Sequence, residues 1–296
     1  MTKLGLIGLG VMGAPMAAHL VAAGYEVSGF DVNAAAGEKL QAAGGRAARD
    51  VADAVAEADI VITMLPNHPH VEEVVLGQGG VLDIAKPGTL LIDMSTIRPE
   101  TSIQIAKLAQ DKQIHVLDAP VSGGQAGAEQ AALSIMVGGA PSDFEAAKPV
   151  LDAVGKTVVH VGPHGAGQVV KAANQLVVGG IYGLVAEAIV LLEASGVDAA
   201  TGLDVLAGGL AGSRILELKR KSMVDRQFAP GFRIDLHHKD MGIALAAARQ
   251  ADVALPLTGL VAQLVAAGRA MGYGSLDHSA LLKVVEQLSG RVPAEV

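Results

Sequence analysis

The junction between an apolar run, Leu4–Ile7, and the glycine-spaced turn Gly8-Leu9-Gly10-Val11-Met12-Gly13 constrains this chain more than any other feature. A strand that ends in three glycines at this spacing turns tightly, leaves its backbone open to close approach at one point, and packs hard against the helix that follows. That helix aims its N-terminal amides over the turn, an arrangement that favours a phosphate. Asp31 closes the next apolar run, Glu26–Phe30, at the distance of about 20 residues where an acid accepts hydrogen bonds from a ribose hydroxyl pair. A plain strand-turn-helix is the alternative; strand, helix and acid in register favour a dinucleotide site formed by Gly8, Leu9, Gly10, Val11, Met12, Gly13 and Asp31. The next two residues, Val32 and Asn33, offer no arginine to a 2′-phosphate, so NAD is expected ahead of NADP.

Similar apolar runs recur at Ile60–Met64, Thr89–Asp93, Val116–Ala119, Ser134–Val137 and Val158–His160, separated by helical stretches. Continuous apolar strands alternating with helices indicate a largely parallel sheet covered on both faces, with the later, closely spaced runs forming an antiparallel or mixed edge. After Gly162-Pro163-His164-Gly165 the strand-like runs stop, and Ala/Leu/Val segments with helical spacing continue to Leu288. The apolar series from Val169 to Ala194 predicts a helix of roughly 25–30 residues joining the two halves. The expected fold is therefore α/β: an N-terminal Rossmann-type doubly wound sheet, residues 1–163, followed by an all-α second domain, residues 164–296, for substrate and oligomerisation. Arg291–Val296 carries no pattern and reads as a frayed end.

Composition narrows the partners. The balance of 22 Lys and Arg against 30 Asp and Glu gives a net charge of −8 with no basic cluster, which argues against nucleic acid. No cysteine is present, so a disulfide framework, a thiolate nucleophile and a cysteine-ligated metal are excluded, and a cytoplasmic location fits best. The longest apolar stretch, Leu176–Ala186 followed after Glu187 by Ala188–Leu192, is broken by that acid and falls short of the ~20 residues of a membrane span, so a buried helix is expected. A helical half poor in charge implies burial between subunits, as a homodimer or homotetramer.

Chemistry concentrates in a few motifs. Lys171 lies in Gly165-Ala166-Gly167-Gln168-Val169-Val170-Lys171-Ala172-Ala173-Asn174. On a helix Lys171 and Asn174 are i and i+3, so they share a face and converge on one substrate oxygen. A lysine desolvated beside a cofactor cleft becomes a general acid; a snorkelling surface lysine is the alternative. Thr63-Met64-Leu65-Pro66-Asn67 and Asp93-Met94-Ser95-Thr96 each follow a strand at its carboxyl end, where open parallel sheets bind ligands, so Leu65, Pro66 and Thr96 are expected to line the cofactor; an ordinary strand-to-helix loop punctuated by Pro66 or Pro99 is the alternative. Ser122, Gly123 and Gly124 also follow a strand and form a concavity suited to a carboxylate, unless Ser122 merely caps the next helix. In Phe232-Arg233-Ile234-Asp235-Leu236-His237-His238-Lys239-Asp240 the adjacent histidines face different sides of a helix, so joint metal binding is not expected. Lys239 reads as a reach toward the cofactor with Asp240 orienting it; a solvated helix start is the alternative.

With these residues in place, the chain resembles the β-hydroxyacid dehydrogenases over about residues 3 to 289. The likeness extends to Gly208-Gly209-Leu210-Ala211-Gly212-Ser213, Phe228–Leu236 and Asp277-His278-Ser279-Ala280. It implies Lys171 as the catalytic residue, Asn174 as its orienting partner, Ser122, Gly123 and Gly124 at the substrate carboxylate, Thr96 at cofactor and substrate, and Lys239 at the cofactor. Two positions depart from many relatives: Gln175 stands where they carry asparagine, and Val32 where several reductases carry arginine. The first leaves the amide partner of Lys171 open, and the second strengthens NAD.

Within the family the expected reaction is NADH-dependent reduction of tartronate semialdehyde to glycerate, with no metal required. Gly212-Ser213 is a candidate partner for the substrate 2-hydroxyl. A 3-hydroxyisobutyrate dehydrogenase or a succinic semialdehyde/glyoxylate reductase is the nearest alternative, and a non-catalytic dinucleotide sensor a remote one. A sensor has no need of a proton donor and a carboxylate site together.

Overall fold

Among residues 1–291, which the computed structural model describes, nine strands form one sheet in the order β3-β2-β1-β4-β5-β6-β8-β7, with β9 pairing to β8. The elements run β1 (Lys3–Ile7), α1 (Gly13–Ala22), β2 (Glu26–Phe30), α2 (Ala34–Ala42), β3 (Arg46–Ala47), α3 (Val51–Val55), β4 (Ile60–Thr63), α4 (His68–Leu76), α5 (Val81–Ile84) and β5 (Leu90–Asp93). They continue through α6 (Pro99–Gln110), β6 (His115–Asp118), β7 (Val121–Ser122), α7 (Gly124–Glu129), β8 (Leu133–Gly139), α8 (Pro141–Asp152) and β9 (Gly155–Gly162). Strands β1 to β6 pair in parallel, whereas β8 runs antiparallel to β6 and β7 and parallel to β9, the mixed edge expected from the sequence.

The apolar runs are continuous because the sheet is covered on both faces, and alternation then divides each strand between two cores. In β4, Ile60 and Ile62 join one core and Val61 the other; in β5, Leu90 and Ile92 separate from Leu91 in the same way. The strand order reverses between β1 and β4, so the loops after β1, β4 and β5 gather at the topological switch point where ligands of such sheets bind.

The chain divides into two compact units, Met1–Lys171 and the remainder from Ala172. Helix α9 (Ala166–Ala194) starts in the first and continues through the second. The second unit adds α10 (Ala199–Gly208), α11 (Arg214–Val224), α12 (Ile234–Gln250), α13 (Pro256–Gly268) and α14 (Leu281–Leu288), with a short π turn and a 3-10 turn before α14. In α9, Tyr182, Val185, Ala186, Ile189 and Val190 follow helical spacing into the core of this unit. This helix has 29 residues, and its most apolar 18-residue window has a mean hydropathy of 2.0, so by length and composition alone it is long enough to span a membrane. From sequence a span is set aside because Glu187 interrupts the apolar stretch from Leu176, and the long helix expected from Val169 to Ala194 is the one found. Its buried stripe packs against the helices of its own unit.

Two ionic knots hold the second unit. Arg226, itself in the left-handed region at φ +51°, donates to both carboxylate oxygens of Glu193 at 3.0 and 2.9 Å and to Glu286 at 2.7 Å, tying the ends of α9, α11 and α14. Asp277 accepts from Lys219 Nζ at 3.0 Å, from the backbone of Gly231 at 2.9 Å and Phe232 at 3.1 Å, and from the Ser279 hydroxyl at 2.6 Å. The loop that leads into α12 is thereby fixed. The tail read as frayed lies outside the described residues from 292 onward.

Candidate functional site

The fingerprint turn separates what the protein needs from what a ligand needs. Gly8 has φ +97°, and a Cβ there would lie 2.3 Å from the Met64 carbonyl oxygen. At Gly13 a Cβ would lie 1.9 Å from the Gly8 carbonyl oxygen. Both glycines are therefore demanded by the turn itself. Gly10 is not: its backbone is ordinary and a Cβ would meet nothing within 4 Å. A glycine facing open space at the mouth of α1 fits close approach by an outside group, and no side chain caps that helix. Leu9 is buried beneath the turn, Met12 packs on the core below, and Val11 is exposed. Asp31 Oδ2 accepts from the Leu9 amide at 2.7 Å and Oδ1 from the Asn33 amide at 2.8 Å. Each oxygen has a second lone pair, so the acid can accept ribose hydroxyls while it holds the turn. Val32 beside it is 96% exposed. These residues fit a dinucleotide.

The loops after β4 and β5 are latched together. Thr63 Oγ1 donates to Asp93 Oδ1 at 2.8 Å, the Ser95 amide donates to the same oxygen at 3.1 Å, and the Leu65 amide donates to Ser95 Oγ at 2.9 Å. Burial pushes the Asp93 carboxyl up to about 6 against these hydrogen bonds. Gln168, fully buried at the start of α9, donates through Nε2 to the Ser95 carbonyl at 2.9 Å and accepts from the Ile97 amide at 3.1 Å. The two residues flanking Thr96 are thus gripped by one side chain. Sequence reasoning missed Gln168, because its partners lie 73 and 71 positions away. Leu65 is half-buried, and Pro66 is exposed beside it.

Asp118, the last residue of β6, accepts from the Gly165 amide at 2.7 Å and the Gln168 amide at 3.1 Å and so fixes the start of α9. Burial raises its carboxyl, opposed by those two amides. Ser122 ends β7 rather than capping α7, whose N-cap is Gly123. Gly123 and Gly124 take φ +135° and +60°, left-handed values that place successive amides in a concave turn, and a Cβ at Gly124 would meet open space.

Along α9 the exposure pattern singles out Lys171. It is 5% exposed, whereas Val169 and Val170 beside it are 51% and 38% exposed. Helix geometry turns the lysine inward and the valines outward, opposite to the order that hydrophobicity alone dictates. A snorkelling surface lysine is ruled out.

In the second unit a polar chain joins α9 to α12. Asn174 Nδ2 donates to Gln175 Oε1 at 2.7 Å, Gln175 Nε2 donates to Asp240 Oδ2 at 2.6 Å, and Lys239 Nζ lies 3.1 Å from Asp240 Oδ1. His237 Nε2 donates to the Gln175 carbonyl at 3.2 Å, and its Nδ1 lies 3.0 Å from His278 Nδ1. Since a carbonyl only accepts, neutral His237 carries its proton on Nε2, and the His278 Nδ1–H is the donor between the rings. Within Phe232–Asp240 the first turn is solvated at Arg233 and Asp235, whereas Ile234, His237 and Asp240 are buried. Ser213 caps α11 by accepting from the Leu216 amide at 3.1 Å.

Comparison with known proteins agrees with this architecture. Residues 3–162 match the family model described as the NAD binding domain of 6-phosphogluconate dehydrogenase, and residues 165–285 the one described as NAD-binding of NADP-dependent 3-hydroxyisobutyrate dehydrogenase. The chain is 43% identical to 2-(hydroxymethyl)glutarate dehydrogenase of Eubacterium barkeri, covering 97% of this chain and 96% of the relative. It is 40% identical to 2-hydroxy-3-oxopropionate reductase of Escherichia coli strain K12, covering 97% and 98%. The solved structure of Mycobacterium tuberculosis 3-hydroxyisobutyrate dehydrogenase with L-serine superposes with a TM-score of 0.87 at 38% identity, covering 96% and 99%. A Rossmann-like sheet with a switch-point glycine turn, followed by helices, defines an NAD(P)-binding oxidoreductase. The chain belongs to the β-hydroxyacid dehydrogenase family, whose members act on small hydroxy acids.

Proposed function

We propose that this enzyme reduces tartronate semialdehyde to glycerate with NADH, reversibly, and that Lys171 is its general acid. The observation that carries this is a lysine 5% exposed on α9, one helical turn before Asn174. Burying an ammonium is costly, and a lysine held in such surroundings suits proton transfer to an alkoxide. Bound NADH supplies the hydride. Lys171 gives the proton to the carbonyl oxygen, and Asn174 fixes the geometry of that oxygen. Ser122 and the amides of Gly123 and Gly124 take the carboxylate, and Thr96 stands at substrate and cofactor. The cofactor would be held by Gly8, Leu9, Gly10, Val11, Met12, Gly13, Asp31, Leu65, Pro66 and Lys239.

The names of the relatives share a chemical unit. 2-(Hydroxymethyl)glutarate, 3-hydroxyisobutyrate, glycerate and serine all carry a hydroxymethyl group on the carbon next to a carboxylate, and differ in the other substituent of that carbon. One proton donor and one carboxylate site serve the whole set. The motif likeness favours the hydroxyl substituent of glycerate, and the 43% identity to the glutarate enzyme favours a carboxyethyl substituent as the second reading. Asp31 followed by exposed Val32 favours NAD over NADP.

Residues 1–163 take the cofactor in this reading, and residues 164–296 the substrate and oligomer contacts, in a cytoplasmic enzyme. A homodimer or homotetramer is supported by Val177, Leu184 and Leu191, which are spaced by seven along α9 and are 54%, 67% and 67% exposed. Sedimentation should show an oligomer at micromolar concentration; a monomer would remove this part. Lys171→Ala should lower kcat by about 10²–10⁴-fold with NADH affinity nearly intact. Near-normal turnover would overturn the assignment.

A further inference from the structure

We infer that Gln175 is a positioning residue whose amide direction is set by Asp240, so that Asn174 is held with its carbonyl oxygen turned to the reacting side. This rests on the reading of Lys171 and Asn174 given above. Asp240, 2% exposed, carries a carboxylate that only accepts hydrogen bonds. Gln175 lies 2.6 Å from Asp240 Oδ2, so the atom it presents there must be Nε2. Its Oε1 consequently points the other way, toward Asn174 at 2.7 Å. An amide that meets an acceptor must offer its NH2, so Asn174 commits Nδ2 to Gln175 and its Oδ1 faces away from it. A charge on α12 thus orients two amides on α9 in sequence, and the last of them offers an acceptor suited to a hydroxyl or an ammonium.

The surroundings hold each link. The ammonium of Lys239, 3.1 Å from Asp240 Oδ1, balances the buried carboxylate without competing for Oδ2. His237 anchors the backbone of Gln175 from the other side at 3.2 Å, and His278 supports His237 at 3.0 Å. Gly179 admits that packing, since a Cβ there would stand 3.0 Å from His237 Nε2. The charged and titratable groups around Gln175 are therefore Asp240 and Lys239 on α12, the His237 and His278 rings, and Lys171 four positions earlier on α9. A glutamine fits the relay because it is one methylene longer than asparagine and reaches across to α12.

The test reverses the relay. In Gln175→Glu two carboxyl groups face each other, and one of them takes up a proton as like charges share a site. When the introduced carboxyl carries that proton toward Asp240 it imitates glutamine, and when the proton leaves the two carboxylates repel, so the contact with Asp240 breaks and Asn174 loses its anchored partner. In Gln175→Glu/Asp240→Asn the amide introduced on α12 donates to the carboxylate introduced on α9, whose other oxygen accepts from Asn174, so the direction returns at every pH. Rates are measured with NADH and whichever short semialdehyde turns over best, and melting temperature and NADH binding are followed alongside. Lys171→Ala serves as a separate arm, and its near-normal turnover would sink the general-acid reading whatever Gln175 does.

For Gln175→Glu, kcat relative to wild type should fall by up to about 100-fold as pH rises, the size of loss expected of a misplaced group, with NADH binding unchanged. The double variant should stay within about fivefold of wild type, with no added pH dependence. Should the single variant fail to fold, the double variant decides alone. A single variant at wild-type rate at every pH would overturn the inference, and so would a folded double variant that is pH-independently slow.

Discussion

The glycine turn makes opposite predictions for two residues three positions apart. In Gly13→Ala the new Cβ starts 1.9 Å from the Gly8 carbonyl oxygen, where ordinary contact begins at 3.4 Å, so α1 and the turn must separate by over an ångström. Overpacking of that kind costs about 1–3 kcal/mol or more, and the helix gains at most about 1 kcal/mol from losing a glycine. The clash is with backbone, which has no rotamer to escape into, so the upper end applies and a net loss of about 2 kcal/mol is expected. For a unit of this size that lowers the melting temperature by about 4–8 °C. In Gly10→Ala the Cβ meets nothing within 4 Å and the backbone is unstrained, so the apo protein should melt at the wild-type temperature or slightly above it. The same methyl stands where a pyrophosphate would approach, and a misfit of about 1.4–3 kcal/mol weakens NADH by about 10–100-fold. The assay is a thermal melt with and without NADH, beside a titration of NADH fluorescence, which is clean because the chain has no tryptophan. Wild-type NADH affinity in Gly10→Ala would detach the turn from the cofactor, and a wild-type melt in Gly13→Ala would show that the backbone does not require that glycine.

Two further perturbations follow from the same geometry. Burial alone would raise the Asp277 carboxyl, but the His278 charge, the Ser279 hydroxyl and the Lys219 ammonium outweigh it and hold it at about 2, below the ordinary 3.8. Its folded value is depressed, so its contribution of about 2 kcal/mol is fully present above pH 3.8 and is lost as pH falls toward 2. Asp277→Asn should therefore destabilise the helical unit by about 2–4 kcal/mol at neutral pH, read from the near-ultraviolet signal of Tyr182 packed against His278, and the gap should narrow by about 1 kcal/mol near pH 3. A gap that does not change with pH would contradict the charge argument. Val32→Arg should leave stability within about 0.5 kcal/mol, since the site is 96% exposed, and should shift the NADH-to-NADPH ratio of kcat/KM about tenfold toward NADPH; an unchanged ratio would detach Asp31 and its neighbour from cofactor choice.

Much of the fold was legible because its signals are local. Runs such as Ile60–Thr63 and Leu90–Asp93 are apolar throughout since both faces of their strands are covered, and the buried stripe of α9 repeats at helical spacing. Strands β3 and β7 escaped because two residues carry no period. What holds the start of α9 escaped, because its partner Asp118 lies 47 positions away. Polar residues were harder to interpret. The burial of Gln168, Gln175, Asp240 and Asp277 has no local signal, because the partners that hold them lie far along the chain: Gln175 meets Asp240 across 65 positions, and Asp277 meets Gly231 across 46. No window of sequence contains both members of such a pair. The glycines were legible as a motif, but only the folded turn divides them into Gly8 and Gly13, required by the backbone, and Gly10, which is not.

The choice of substrate and cofactor is decided by initial rates with NADH and NADPH on tartronate semialdehyde, methylmalonate semialdehyde, succinic semialdehyde and glyoxylate, compared as kcat/KM. Highest efficiency for tartronate semialdehyde with NADH is the expected result. Higher efficiency for another aldehyde, or for NADPH, would contradict it.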